Sequence, residues 1–405
     1  MKILILFCDM LRANRLKTVN KDIPYQSTFD KWIRDFGGCT YTNCYTPAPD
    51  TPRSLACFYT GLYPKQNGCK TRLEWPKYYQ NSENPTIFKL LHNSKYDTFT
   101  NFSPNELKTG VLNNNDLEII TNFKSFQEFY NSKVIDKRDR NSCYFLTLND
   151  YHQCVEDYSS LKRADKKGQE QLIESFELFF KKYDKDLFDY IFIFSDHGCV
   201  LSDDYSRFKK NYFLLDDNRS QIFMHLRKKG DKSACKDNSL RTVMDIYPSI
   251  AEIINSPAPE NLNGISLFDS NPHKFIVVED ASSFKPCLGM FNDIWRYKEK
   301  DFSYYLSIYD GEELKYENSE KAMNSQKVNI KKITEIVSEV SCSYEEISKR
   351  NGILKSYAEL KKEYSIMCFS SGKKRNNYLK IYSYKIFSLF IKVIQKLYFN
   401  IFKFF

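Results

Sequence analysis

The strongest constraint on this chain is the unbroken apolar character of two strand-like runs, KILILF at residues 2–7 and YIFIF at residues 190–194. A strand wet on one face alternates apolar with polar residues, so a run without alternation has to be covered on both faces. Helical stretches supply that cover. One lies near residues 26–36, one opens at Thr51, and one spans residues 169–182, interleaved with the runs KILILF, YDTFTNF, CYFLTLND and YIFIFSDHG. This alternation predicts an α/β fold, a doubly wound, mainly parallel sheet sandwiched by helices. Ligands of such sheets gather at the carboxyl ends of the strands. From Lys274 the pattern changes to short alternating runs, KFIVVED, DIWRYKEK and FSYYLSIYD, which predict a small antiparallel C-terminal subdomain. The expected divisions are a main domain over residues 1–273, the antiparallel subdomain over 274–327, a charged helical segment over 328–370 and a helical tail over 371–405.

The chain has 405 residues, 42% of them hydrophobic, and can bury a large core. Its twelve cysteines form no CxxC pair, and Met1 runs almost directly into the first strand, so a reducing cytoplasm is the expected setting. The net charge of +9 is local: residues 371–405 hold eight Lys or Arg and no Asp or Glu, leaving the remainder nearly neutral. A folded basic face is not indicated, and nucleic acid is not an expected partner. Lys385, Lys392, Lys396 and Lys403 follow at intervals of seven, four and seven residues, one stripe of a helix whose other positions are mostly Phe, Ile, Leu and Tyr. That pattern predicts that residues 378–405 lie on an anionic membrane surface, placing the protein peripherally at the inner face of a membrane. A helix packed on the domain with its lysines outward is the alternative.

The segment DTPRSLACFYTGLYPKQNG, residues 50–68, reads as a short bounded helix: Thr51 as N-cap, Pro52 as the first helical residue, Gly61 as a left-handed stop. A hydroxyl at that end faces unpaired N–H groups and the positive end of the helix dipole, an environment that suits a phosphate or sulfate. Capping alone accounts for Thr51 equally well. Asp9 follows the first strand, and Asp196 with His197 follows YIFIF, so all three project from strand ends toward one crevice. With Thr51 they form an O,O,N,O set suited to one divalent metal ion, Mn²⁺, Ca²⁺, Mg²⁺ or Zn²⁺. Each aspartate read alone is also a helix cap, and SDHG an ordinary turn.

Taken in order, FCDMLRANRL, TPRSLACFYTGLYPKQNG, FSDHG, TVMDIYPSIAEIINSPAPENLNGISLF and LSIYDGEELKYEN resemble the sulfatase branch of the alkaline phosphatase superfamily, over residues 1–320. The resemblance implies a doubly wound core, a smaller C-terminal sheet, and metal-assisted cleavage or transfer of phosphate or sulfate esters through a covalent intermediate. Sulfatases of this branch carry Cys or Ser in a C/S-x-P-x-R signature, oxidised to formylglycine. Here Thr51 is followed by Pro52 and Arg53, with Leu55 at the position of the signature arginine. Threonine is not a known substrate for that oxidation, so the implied chemistry moves toward the phosphatases and the phosphoethanolamine or phosphoglycerol transferases, with Thr51 as nucleophile. The Asp196-His197 pair, in place of an Asp-Asn pair, resembles the phosphonate monoester hydrolases and lipid-headgroup transferases. The same likeness implies that His152 bonds the transferred group or protonates the leaving oxygen, against the alternative of a surface-loop histidine. It further implies substrate contacts from Arg53, Arg12, Lys209 and Lys210, where a solvated lysine pair and a structural ion pair for Arg12 are equal alternatives. His92, His225 and His273 are expected to be structural or exposed.

The expected substrate is a small-molecule, glycan or lipid-linked phosphate ester, hydrolysed or transferred. A sulfuric ester hydrolase lacking formylglycine is the enzymatic alternative, and a noncatalytic, membrane-attached binding protein is the third reading. Deleting residues 378–405 is expected to abolish cosedimentation with vesicles of anionic lipid; a truncated chain that still pelleted with them would remove the membrane assignment.

Overall fold

In the computed structural model, the residues described are 1–70, 77–81, 83–136, 140–157, 161–199, 217–273, 276–282 and 303–309. Among them the strands are β1 (Lys2–Cys8), β2 (Gly38–Tyr45), β3 (Asp97–Thr100), β4 (Ile120–Asn122), β5 (Ser142–Leu148), β6 (Tyr190–Phe194), β7 (Met224–Lys228), β8 (Ala234–Thr242), β9 (Ile276–Ser282) and β10 (Ser303–Tyr309). The first eight make one sheet in the order β4-β3-β5-β1-β6-β7-β2-β8. Strand β7 runs antiparallel to both neighbours, while the other pairings in this sheet are parallel. The architecture is thus the helix-covered, mainly parallel α/β sheet that the alternation predicts.

The apolar run of β1 follows from its place in the sheet, between β5 and β6. Ile3, Ile5 and Phe7 join one buried cluster, and Leu4, Leu6 and Cys8 join another on the opposite face. Helix α1 (Thr28–Phe36) contributes Phe29, Ile33 and Phe36 to the second face. Its start is fixed by a capping box, in which Ser27 accepts from the Asp30 N–H and Asp30 accepts from the Ser27 N–H. Helix α2 (Thr51–Thr60) covers the first face, and every residue from Arg53 to Thr60 is buried. Helices α3 (Asp150–Asp157) and α4 (Leu161–Lys182) pack on the same face as α1, the latter through Leu172, Phe176 and Phe179. The helix expected at residues 169–182 therefore begins earlier, at Leu161.

An aromatic stack fastens α2 to the sheet. Phe58 lies 5.3 Å from Phe145 of β5 and 4.9 Å from Phe194 of β6, and Phe194 lies 5.3 Å from Phe7 of β1. Each ring contact adds about 0.5–1.5 kcal/mol beyond its area burial. Because these three strands end at the candidate site, the stack sets the height of α2 against their carboxyl ends.

Strands β9 and β10 pair antiparallel, within the span expected for a separate small sheet. Ile276 and Val278 pack with Tyr45 and Leu240, and the Val277 N–H donates to the Tyr63 hydroxyl at 3.2 Å. The segments 328–370 and 371–405 lie outside the described residues. Among the described residues no helix is long and apolar enough to cross a membrane.

Three of the histidines set apart as structural or exposed take those roles. His92 is exposed, and His273 places Nε2 2.6 Å from Asp245 Oδ1. His225, fully buried on β7, has Nδ1 2.9 Å from Thr40 Oγ1 and Nε2 2.9 Å from the Gly37 carbonyl. Burial pushes the His225 pKa down from 6.5 to about 4, against a smaller upward pull from Gly37. A histidine depressed in the folded state contributes stability above its unfolded value, and that contribution is lost as pH falls toward the folded value. Unfolding free energy is expected to drop by up to about 3 kcal/mol between pH 6.5 and pH 4 on account of this residue. Urea titrations of wild type and His225→Gln check it: identical pH slopes for the two proteins in that window contradict the assignment.

Candidate active site

The site forms where β1 and β6 end side by side. Asp9 directly follows β1, and its N–H donates to the Leu148 carbonyl of β5 at 3.1 Å. Asp196 and His197 follow β6 after Ser195. Ligand atoms of Asp9, Asp196 and His197 lie within 4.8 Å of one another, and all three residues are buried. Thr51 joins them from α2: its Oγ1 is 3.2 Å from Asp9 Oδ1 and 3.1 Å from His197 Nε2. The four residues expected to form an O,O,N,O set are therefore assembled in one place.

The cap of α2 differs from the sequence expectation. Asp50 is the N-cap and accepts from the Arg53 N–H at 3.3 Å, Thr51 is the first helical residue, and Pro52 follows at the second position. A carboxylate is the better partner here because it also pairs with the Arg53 guanidinium, at 2.6 Å from Nε and 2.5 Å from Nη2. Relieved of capping, the Thr51 hydroxyl turns to Asp9 and His197. Gly61 ends the helix with φ 66°, as expected. Arg53 is fully buried in its pair with Asp50, which makes it a support for the turn beneath Thr51 instead of an open substrate contact.

Backbone geometry holds the cluster. Met10 adopts φ 61°, rare for a residue with a side chain, and its N–H reaches Asp196 Oδ1 at 3.1 Å. The His197 N–H reaches the same oxygen at 2.8 Å. Ser54 of α2 donates to the Asp196 carbonyl at 2.8 Å, tying this helix to the β6 loop. Gly198 is required by close approach, since a Cβ there would lie 2.0 Å from the Asn218 carbonyl oxygen. Arg219 donates from Nη2 to the Pro49 carbonyl at 2.8 Å, bracing the turn that precedes Asp50.

His197 Nδ1 lies 2.5 Å from the Gly198 carbonyl, so this nitrogen carries the proton and Nε2 presents a lone pair to the site. Nε2 is 3.3 Å from Asp196 Oδ2, itself buried without a hydrogen-bond partner. Acceptors brought this close repel unless a positive charge lies among them. The residues therefore fit a divalent cation, with Asp9, Asp196, His197 and the Thr51 hydroxyl as its donors. Burial pushes the Asp196 carboxyl up, to about 6; His197 opposes this and Asp9 adds to it.

His152 sits on α3, one turn from the end of β5, with Nδ1 2.6 Å from Asp9 Oδ2 and Nε2 3.5 Å from Glu156. Burial lowers its pKa, but Asp9 and then Glu156 outweigh burial and hold the imidazole well above its usual value. For Asp9, burial is likewise the largest effect and acts upward, yet His152 and His197 leave its pKa below the usual carboxylate range. His152 is thus a helix residue beside Asp9 whose protonated form is favoured, and not a loop residue. Arg12 is buried, donating from Nη2 to Asn218 Oδ1 and from Nε to Asn14 Oδ1 at 3.3 Å. Lys209 and Lys210 fall outside the described residues.

Residues 2–189 match the family model described as Sulfatase. That stretch, a little under half of the chain, is similar to the sulfatase family. No curated protein matches the chain in sequence. Similar solved structures include a 2-O GAG sulfatase, with TM-score 0.56 and 13% identity over 84% of this chain and 89% of that one. A phosphonate monoester hydrolase from Silicibacter pomeroyi gives TM-score 0.55 and 11% identity over 84% and 94%. A protein of the alkaline phosphatase superfamily from Vibrio parahaemolyticus gives 0.56 and 16% over 84% and 85%. At these identities the likeness is one of fold.

Around this site four supports escaped the sequence reading: Asp50, Ser54, Met10 and Arg219. The capping preference of aspartate was the one signal available, and it pointed to Asp50 as readily as to Thr51. The others act through backbone contacts between segments remote in sequence. Calorimetric titration with Mn²⁺ is expected to find one ion per chain, with Asp196→Asn weakening affinity at least about tenfold and the exposed-site control His92→Ala leaving it unchanged. Equal affinities in all three proteins would contradict the assignment of Asp196 as a ligand.

Proposed function

We propose that this protein cleaves or transfers a phosphate ester through a covalent intermediate on Thr51, assisted by one divalent cation. The observation that carries the reading is the placement of the Thr51 hydroxyl between Asp9 Oδ1 and His197 Nε2, at 3.2 and 3.1 Å. As oxygen approaches phosphorus the hydroxyl proton passes to the Asp9 carboxylate, which has lone pairs to spare, whereas the single Nε2 lone pair of His197 would be taken by the cation. When bound among Asp9, Asp196, His197 and Thr51, the cation lowers the hydroxyl pKa and offsets charge on the nonbridging oxygens. The Thr51 oxygen forms the new bond to phosphorus while the ester oxygen departs in line. His152, held protonated by Asp9 and Glu156, gives its proton to the departing oxygen. Water then releases phosphate, or an alcohol accepts the group.

Relatives by fold include both a sulfatase and a phosphonate monoester hydrolase, so the fold is compatible with either ester. Phosphate is favoured by Thr51, which stands where formylglycine chemistry needs Cys or Ser, and by Leu55 in place of the signature arginine. The proposed substrate is a small-molecule, glycan or lipid-linked ester, and the basic stripe of residues 378–405 supports action at the inner surface of an anionic membrane.

The test pairs p-nitrophenyl phosphate and bis(p-nitrophenyl) phosphate with p-nitrophenyl sulfate, in the presence of Mn²⁺. Wild type is expected to favour the phosphates, Thr51→Ala to lose at least about a thousandfold in kcat/KM, and quenched wild type to carry a phosphoryl group on Thr51. Preferential sulfate release, or full activity in Thr51→Ala, would overturn the proposal.

A further inference from the structure

Strands β2 and β8 run parallel at one edge of the large sheet, and their register sets Cys39 directly beside Cys235. Among the described residues this is the one strand pairing that matches cysteine with cysteine. Partners in register present their side chains to the same face, so the two thiols share one side of the sheet. Neighbouring strands lie about 4.8 Å apart, inside the Cα separation of about 4.4–6.8 Å that a disulfide spans.

Both thiols are free, and their exposure differs. Cys235 is open to solvent near the start of the edge strand, with Ala234 and Lys236 exposed on either side of it. Cys39 is half-buried; burial first, then Cys235, then Asp237 and Asp231 push its thiol up to about 12, so it stays protonated. Every other described cysteine is buried. A dissolved oxidant therefore meets Cys235 first, with one thiol in register beside it.

We infer that Cys39 and Cys235 close into a reversible disulfide, fastening the edge strand β8 to β2, when the protein meets hydrogen peroxide. The Cys235 thiolate attacks one peroxide oxygen, the O–O bond breaks, and Cys235 becomes a sulfenic acid as hydroxide leaves. The Cys39 sulfur then attacks the Cys235 sulfur, the S–O bond breaks, and the S–S bond forms as the departing oxygen takes the Cys39 proton and leaves as water. In total the two thiols lose two electrons and two protons, and one peroxide becomes two waters. Side chains on parallel strands stand side by side without converging, whereas a relaxed disulfide holds its Cβ atoms about 3.5–4.5 Å apart. The bond consequently forms under tension and is readily reopened by a small thiol. Strands β2 and β8 run in the same sense as β1 and β6, and the pair sits near their amino ends, at the end of the sheet opposite the candidate active site. The inference is independent of the reading of Thr51.

The folded full chain is treated with hydrogen peroxide, its remaining thiols are alkylated, and its unreduced tryptic peptides are read by mass spectrometry. A link between Cys39 and Cys235 is expected to be at least about tenfold more abundant than any other cysteine pair. It is expected to persist in Cys44→Ser, the control required because no Lys or Arg separates Cys39 from Cys44, and to vanish in Cys235→Ser. Amide hydrogen exchange over residues 234–239 is expected to slow at least about tenfold on oxidation and to recover with dithiothreitol. Absence of the link in wild type, a link from Cys235 to Cys44, Cys235 oxidised to a sulfinic acid with Cys39 still free, or exchange unchanged by oxidation would each overturn the inference. The wild-type link decides without any variant.

Discussion

The structure depends on a crowd of buried acceptors at the ends of β1 and β6. Asp9, Asp196 and the lone pair of His197 Nε2 converge where water is scarce, and Asp196 Oδ2 has no hydrogen-bond partner. Charge buried in this way is costly unless it is paired, and half-satisfied polar clusters are worse than apolar ones. The surrounding residues bear part of that cost. Two backbone N–H groups reach Asp196 Oδ1, one of them available only because Met10 enters the left-handed region. His152 meets the outer oxygen of Asp9. What remains is an inward-facing set of oxygens and one nitrogen that calls for a cation, with a hydroxyl at its edge.

Holding that hydroxyl in register is a packing problem, and the sheet solves it. Strands β5, β1 and β6 are hydrogen-bonded neighbours with fixed register, so Asp9 and Asp196 emerge at one level. Helix α2 is keyed to the same three strands by the rings of Phe7, Phe58, Phe145 and Phe194, and to the β6 loop by Ser54. Buried Arg53 and Arg219 lock the turn before the helix, one through Asp50 and the other through the Pro49 carbonyl. Positioning here comes from buried aromatic contact and from paired guanidinium groups. The departure from the expected role of Arg53 is instructive in that respect: an arginine two residues from Thr51 is as useful beneath the turn as above it.

How much could be read beforehand differs by element. The layered fold was legible because β1 and β6 lack alternation, and a strand buried on both faces admits few architectures. Strands β2 and β8 were not anticipated: GCTYTNCY is polar for a strand, and β8 begins with exposed, charged positions at the sheet edge. Asp9, Asp196 and His197 were legible because each follows a strand end, a place defined by the local pattern. Asp50 was not separated from Thr51, since both residue types cap helices and only the nearby guanidinium of Arg53 decides between them.

The sequence by itself determined the class of fold, the limits of the Thr51 helix to within a residue, and which side chains follow the two strand ends. Those follow from local rules of periodicity, glycine stops and side-chain chemistry, each acting within a few residues. Only the tertiary structure decided that Thr51 faces two acceptors, that His152 leans on Asp9, and that Arg53 is sealed away. The first two depend on distances across the fold: Thr51 is 42 residues from Asp9 and 146 from His197, and His152 is 143 from Asp9. Strand order and ring packing set those distances, and no local pattern encodes them.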